Sequence, residues 1–420
     1  MPRKEVEDML KVQGDYLVRK TTMARQVVYC LSVRHVNDVK HIPLGYSFDT
    51  GMWTLKDARL EPGLTFSRAV SVTGVQCRSD YWAKPLTVGC WQIDALWRTK
   101  SDGKTDITKP SLKELLDTLV QTEKQIPPSG VILKNPFPRP DYYFLHEHIT
   151  ILKKLGHGAF GEVHFGKLRL KNGDEIDVAV KMLKGTRIKK SQLSAFFEEA
   201  KLMRRFDHPN IVRFYGVAPQ EEPIMILLEL ANGGSLKAGL FDSYCKNHSG
   251  IPPSKLLQFA TDGARGMCYL AARQVIHRDI AARNCLLGRK DELKISDFGL
   301  SIADKTEMKL DKLKSVPIKW LAPETLRQGI FSTKTDVWSY GVLLWEIFAQ
   351  CSSDPFPGET NAKAKEHILN DPVPMNAPPG SPKIVQEVMA VCFMKNPEER
   401  ADFVRVLKLL SPHETPPTIP

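Results

Sequence analysis

The chain has 420 residues, too many for one ordinary domain and enough for two, and its 42% hydrophobic content is ample for packed cores. The formal charge of +11 comes from 59 Lys and Arg against 48 Asp and Glu scattered along the chain, which reads as a solvated surface with no nucleic-acid footprint. No apolar run approaches the ~18 residues that cross a bilayer, the charged opening Arg3-Lys4-Glu5 does not read as a signal peptide, Met1-Pro2 lacks the myristoylation glycine, and the eight cysteines lack paired metal-ligand spacing. These features favour a reduced, cytoplasmic protein that reaches membranes only through partners.

Arg3 to Leu10 reads as a short helix, and Gly14-Asp15-Tyr16-Leu17-Val18-Arg19-Lys20 as a strand. Tyr29-Cys30-Leu31-Ser32-Val33-Arg34 alternates like a second strand, followed by Val39-Lys40-His41. Alone, Arg19 is an ordinary strand cation; with Arg3 and His41 in register, the segment resembles an SH2 domain. That resemblance implies a central antiparallel sheet flanked by helices and phosphotyrosine proteins as partners. Arg19 would make the bidentate phosphate contact that lysine cannot duplicate, Arg3 would be a second phosphate ligand, and His41 would lie beside the ring. Ile42 implies apolar residues after the phosphotyrosine.

This module is expected over residues 1–133 in partial form, because the strand with the aromatic-x-His-Gly motif that usually opens it is lacking. An insert at about 57–106 precedes the second helix, Lys109 to Leu119. It holds Trp82, Trp91 and Trp97 with Cys77 and Cys90, yet has neither clear periodicity nor metal spacing. A disordered insertion or a coding-sequence error is expected there, rather than a partner-binding loop. Gly130-Val131-Ile132-Leu133 reads as a last strand, and the proline-rich stretch within 134–147 as a stiff linker holding two domains near one another.

From residue 148 the motifs carry phosphate chemistry. Gly156-His157-Gly158-Ala159-Phe160-Gly161-Glu162-Val163 lies between two β-rich segments, where a glycine hairpin can bring backbone amides over a triphosphate; alone it is weak evidence. Val178-Ala179-Val180-Lys181 ends an apolar strand in a lysine placed to grip the α- and β-phosphates. In the helical stretch Ser194 to Met203, Glu199 is the candidate ion-pair partner for Lys181, with Glu198 competing one position away.

His277-Arg278-Asp279-Ile280-Ala281-Ala282-Arg283-Asn284 resembles the catalytic loop of protein kinases, in which Asp279 would accept a proton and Asn284, five positions later, would hold a metal. Asp297-Phe298-Gly299 resembles the kinase motif whose carboxylate, here Asp297, would be a second Mg2+ ligand. Val316-Pro317-Ile318-Lys319-Trp320 and Ala322-Pro323-Glu324 follow, with Glu324 expected against Arg400 and Asp336 bracing the catalytic loop from below. Six ordered motifs at workable spacings leave chance negligible.

Residues from about Phe144 to Pro412 resemble a protein tyrosine kinase domain of the Fes/Fer group, in the short SH2-kinase form of its nematode expansions. Ala281-Ala282-Arg283, where serine/threonine kinases usually carry a Lys, and the Val316–Trp320 platform point to tyrosine. The resemblance implies an α+β architecture: the partial SH2 domain, then a two-lobed kinase domain over 148–412 and a short tail at 413–420. It implies ATP and Mg2+ as cofactors and tyrosine-bearing proteins as substrates. Asp279, Arg283, Lys181 and Glu199 would be catalytic; Leu155, Gly156 to Val163, Ala179, Lys181, Glu229 and Ala231 would bind nucleotide; Leu228 would be the gatekeeper. No segment resembling the membrane-curving or coiled-coil parts of longer relatives precedes the SH2 region. Between Asp297 and Glu324 there is no tyrosine, so either Glu307 imitates a loop phosphate by pairing with Arg278, or the loop stays mobile until a partner orders it.

Overall fold

In the computed structural model the chain forms two compact units, Met1–Tyr143 and Phe144–Pro420. The structure describes all residues except 1–2, 24–25, 48–50, 56–106, 128, 159–160, 184–188, 239–250, 312–315 and 418–420. The insert at 57–106 therefore lies outside the described residues.

The first unit is a five-stranded sheet of order β4-β3-β2-β1-β5. Its strands are β1 (Asp15–Met23), β2 (Gln26–His35), β3 (Asp38–Ser47), β4 (Met52–Leu55) and β5 (Asn135–Pro136). Period-two alternation divides the strands between two faces. Tyr16, Val18, Leu31, Val33, Ile42 and Leu44 pack against Leu112, Leu115, Leu116 and Leu119 of helix α2 (Leu112–Gln121). Leu17 and Val39 point the other way, onto Val6 and Leu10 from helix α1 (Arg3–Met9) and its exit. The Ser111 hydroxyl caps α2, accepting from Glu114 N at 3.1 Å.

One feature departs from the sequence reading and a second bears on the insert. Asn135 and Pro136, assigned above to the linker, run parallel to β1 opposite Asp15 and Tyr16. Proline is tolerated there because the edge bonds come from its neighbours: Asn135 N donates to Gly14 O and Phe137 N to Tyr16 O. Trp53 and Lys109 exchange backbone hydrogen bonds of 2.7 and 3.1 Å, so the chain returns to β4 where it left it. A long insertion whose ends are clipped together perturbs the sheet little, since closure entropy grows only slowly with loop length.

The second unit opens with a sheet of order β6-β7-β8-β10-β9. It comprises β6 (Ile149–Gly158), β7 (Gly161–Arg169), β8 (Glu175–Leu183), β9 (Phe214–Ala218) and β10 (Ile224–Glu229), with helix α3 (Lys190–Met203) between β8 and β9 in sequence. Val178, Val180 and Met182 of β8 enter a core with Phe144, Leu168, Ala218 and Leu227. Alternation consequently turns Ala179 and Lys181 to the opposite face.

The rest is helical: α4 (Pro253–Ala272), α5 (Pro323–Gln328), α6 (Thr333–Phe348), α7 (Asn361–Asn370), α8 (Lys383–Cys392) and α9 (Phe403–Leu410). Residues Thr335 to Phe348 of α6 are all buried, as expected of a helix at the centre of a lobe. A small antiparallel hairpin, β11 (Cys285–Leu287) with β12 (Leu293–Ile295), lies against the bundle. Beyond residue 412, Glu414 anchors to Arg265 of α4 at 2.8 and 2.9 Å, so the start of the predicted tail is docked.

Candidate active site

Lys181 and Glu199 meet because β8 turns Lys181 away from the face that buries Val178, Val180 and Met182, and α3 carries Glu199 on its buried face. On α3, Phe196, Glu199, Ala200 and Met203 share the buried face, whereas Glu198 is exposed. Helical phase thus resolves the alternative left by the sequence. Lys181 Nζ donates to both Glu199 oxygens at 2.7 and 2.9 Å and reaches Asp297 Oδ1 at 3.4 Å. Burial works against the Lys181 ammonium, yet Glu199 and Asp297 outweigh it and raise its pKa.

Asp279 is the centre of a second cluster. Its carboxylate accepts from Arg283 Nη2, and Asn284 Nδ2 donates to its Oδ2 at 2.7 Å. The β11–β12 hairpin brings Asn284 and Asp297 together, with Ser296 N donating to Asn284 O at 2.9 Å. Asp297 is exposed and Asn284 buried; Asn284 turns its amide nitrogen to Asp279, and among the described residues its Oδ1 accepts no hydrogen bond.

Arg278 and Asp297 have φ of 71° and 60°, in the left-handed region that non-glycine residues seldom adopt. Asp336 holds the first in place, its carboxylate accepting from His277 N at 2.7 Å and Arg278 N at 2.9 Å. Burial pushes the Asp336 carboxyl up to about 7, against the lowering effect of those two bonds. His277 is fully buried, which depresses its pKa; the neutral ring meets Ser296 O through Nε2 and accepts from Asp279 N. Phe298 packs edge-on against His277.

The glycine hairpin joins β6 to β7, with Gly158 opposite Gly161. A Cβ at Gly161 would lie 1.9 Å from Met182 O, so only glycine allows this approach. Leu155 is 52% exposed on β6, and Gly156, Gly161 and Val163 lie in the paired strands. Glu162 bonds Lys154 and His164, away from any ligand role through its carboxylate. His157 and Gly158 are placed by backbone alone; Ala159 and Phe160 lie outside the described residues. The Glu229 carboxylate is taken by Arg213 N and Lys294, so a nucleotide contact at Glu229 and Ala231 would have to use the backbone.

The described parts of the segment from Asp297 to Glu324, which leave out 312–315, make several contacts, and the Glu307–Arg278 pairing, one of the two alternatives above, is not among them. Ile302 exchanges backbone bonds of 2.8 and 2.9 Å with Ile276. Strand β13 (Glu307–Lys309) pairs with β14 (Ile330–Ser332), placing Glu307 opposite Ser332. Arg278 stacks over Phe331 at 4.5 Å and donates to Leu300 O; among the described residues it forms no ion pair with Glu307. Arg205 instead holds Asp304 through two 2.8 Å bonds. Gly329 (φ 71°) permits the ladder, since a Cβ there would meet Leu310 O at 2.1 Å. Arg400, buried, grips Glu324 at 2.6 and 3.0 Å.

On the first unit, Arg19 is 7% exposed and its Nε donates to Ser32 Oγ at 3.3 Å. The same hydroxyl bonds His41 Nδ1 at 2.9 Å, and His41 Nε2 lies 3.4 Å from Glu7 of α1. The side chain of Arg3 lies outside the described residues. Ile42, read above as a specificity residue, is 8% exposed and packs into the α2-side core. Ser32 escaped the sequence reading because a serine in an apolar strand carries no signal of its own.

The profile of the protein tyrosine and serine/threonine kinases matches residues 149–410. Fer-related kinase 1 of Caenorhabditis elegans is 34% identical over 413 residues, covering 98% of this chain and 91% of that protein. Human tyrosine-protein kinase Fer is 34% identical over 414 residues, but the chain spans only 43% of it. Spermatocyte protein spe-8 of Caenorhabditis briggsae is 31% identical over 414 residues, 69% of its length. Among the described residues no helix is long and apolar enough to cross a membrane.

Proposed function

The chain belongs to the Fer-type protein tyrosine kinases, and from that premise we propose that it transfers the γ-phosphoryl group of ATP to protein tyrosines with the residues gathered around Lys181 and Asp279. The observation that carries the reading is the joint assembly of the two clusters: Lys181 is paired to Glu199 while Asp297 stands 3.4 Å from it. Kinase catalysis needs little covalent help from the protein, so alignment and charge neutralisation are the main contributions.

In this reading Lys181 holds the α- and β-phosphates, and the amides of the Gly156–Val163 hairpin close over them. Leu155, Ala179 and the backbone of Glu229 and Ala231 frame the adenine, with Leu228 at the back. Asp279, oriented by Arg283 and Asn284, takes the tyrosine hydroxyl proton. The donors also suit a hard cation: Asp297 offers a carboxylate and Asn284 an amide oxygen, the small protein share typical of Mg2+ sites completed by phosphates. Mg2+ bound there supplies neutralisation of the phosphate charge.

The first unit is, in the same proposal, an SH2 module that docks phosphotyrosine proteins. Support comes from a nearly buried guanidinium, Arg19, steered by Ser32 and flanked by His41. The cytoplasm is the setting this reading implies, with membrane association through partners.

Lys181→Met is expected to cut phosphotyrosine formation on a poly-Glu/Tyr polymer at least about tenfold, because the phosphates lose their anchor. Turnover equal to the parent would remove Lys181 from the reaction. The segment between Asp297 and Glu324 carries no tyrosine, and its described residues Asp304 and Glu307 to Lys309 are held by Arg205 and by β14 without phosphate, so tyrosine-phosphatase treatment should change basal activity less than about threefold, or ~0.65 kcal/mol. A tenfold loss would contradict this. Of the tyrosines in the second unit, Tyr340 and Tyr269 are poor alternative phosphate acceptors, both buried with hydroxyls bonded to Ala260 O and Asp207 N; Tyr215 remains to examine, with Tyr244, which lies outside the described residues.

A further inference from the structure

Glu346 lies on α6, ten residues beyond Asp336, and is 3% exposed. A carboxylate that deep needs partners, and a single oxygen, Oε2, has two. It accepts from Ala282 N in the catalytic loop at 2.9 Å and from the Trp320 indole N–H at 3.0 Å. Trp320 in turn carries the Arg283 guanidinium on its ring face, 4.6 Å from the centroid, and Arg283 donates to Asp279. Burial raises the Glu346 pKa, while Trp320, Ala282 and Arg283 favour its ionised form.

We infer that Glu346 and Trp320 are positioning residues: through the stacked Arg283 they set the orientation of the Asp279 carboxylate toward the incoming tyrosine. One oxygen joins the catalytic loop to the platform on which the substrate ring rests, so the proton acceptor and the acceptor side chain share one reference point. A displacement of an ångström at a catalytic group costs orders of magnitude in rate, so the coupling acts on kcat. The inference rests on the reading of Asp279 and Arg283 given above.

The test is a double-mutant cycle in the full chain, with Mg-ATP and poly-Glu/Tyr as substrates. Trp320→Phe keeps a ring but loses the N–H held by Glu346, and is expected to lower kcat about tenfold with the Mg-ATP KM within about twofold. In an Arg283→Ala background the same change should cost less than about twofold, because its effect runs through Arg283. Glu346→Gln, which keeps one acceptor oxygen, should retain at least about five times the kcat of Glu346→Leu. If Glu346→Leu does not fold, the Trp320 cycle decides alone. Additive losses for Trp320→Phe and Arg283→Ala overturn the coupling while leaving Arg283 in its role. An Arg283→Ala enzyme with parental kcat overturns both.

Discussion

Asp279→Asn is expected to lower kcat for tyrosine phosphorylation by about 10²- to 10⁴-fold while the KM for Mg-ATP stays within about twofold. The asparagine oxygen can still accept from Arg283 or Asn284, so the loop keeps its shape. What disappears is the group able to take the hydroxyl proton. Asp336 bonds the backbone of His277 and Arg278, not the Asp279 side chain, and holds the loop in either variant. Steady-state kinetics of parent and variant, with unfolding midpoints as a fold control, measures the loss. Turnover comparable to the parent would remove Asp279 from the role of base.

Arg19→Lys is expected to weaken binding of a phosphotyrosine peptide about hundredfold, equivalent to ~2.7 kcal/mol. Lysine keeps the charge but loses the planar fork that engages two phosphate oxygens at once. In the parent, Arg19 Nε donates to Ser32 Oγ, which fixes the plane of the guanidinium. Calorimetric titration of the full chain with phosphorylated and unphosphorylated forms of one peptide gives the comparison. Binding within about threefold of the parent would show that Arg19 makes no bidentate contact.

The motifs of the kinase lobes were legible because the chemistry fixes residue type and spacing together: Asp279, Asn284 and Asp297, a candidate proton acceptor and two candidate oxygen ligands, fall within nineteen residues. The sequence put Glu199 ahead of Glu198 without excluding the latter, since adjacent glutamates differ only by helical phase, and phase is read from the buried neighbours Phe196, Ala200 and Met203. Non-local devices were also missed. Phe331 is an ordinary core aromatic in sequence, yet it occupies the guanidinium of Arg278 that the sequence offered to Glu307. Glu346 lies sixty-four positions from Ala282, and no local pattern joins them. Asn135-Pro136 reads as linker because proline normally interrupts strands, and only the third-dimension neighbour Tyr16 makes it an edge.

The central claim is that Ala281-Ala282-Arg283 and the Trp320 platform build a site for the longer tyrosine side chain around Asp279. Two acceptor peptides identical except for Tyr or Ser at the target position, each incubated with the purified full chain and Mg-ATP, test it most directly when the phosphoamino acid is identified. The account predicts phosphate on the tyrosine peptide and none on its serine counterpart, with the Asp279→Asn enzyme failing on both. Phosphoserine at a comparable rate, or a folded, nucleotide-binding protein that phosphorylates neither, would contradict it.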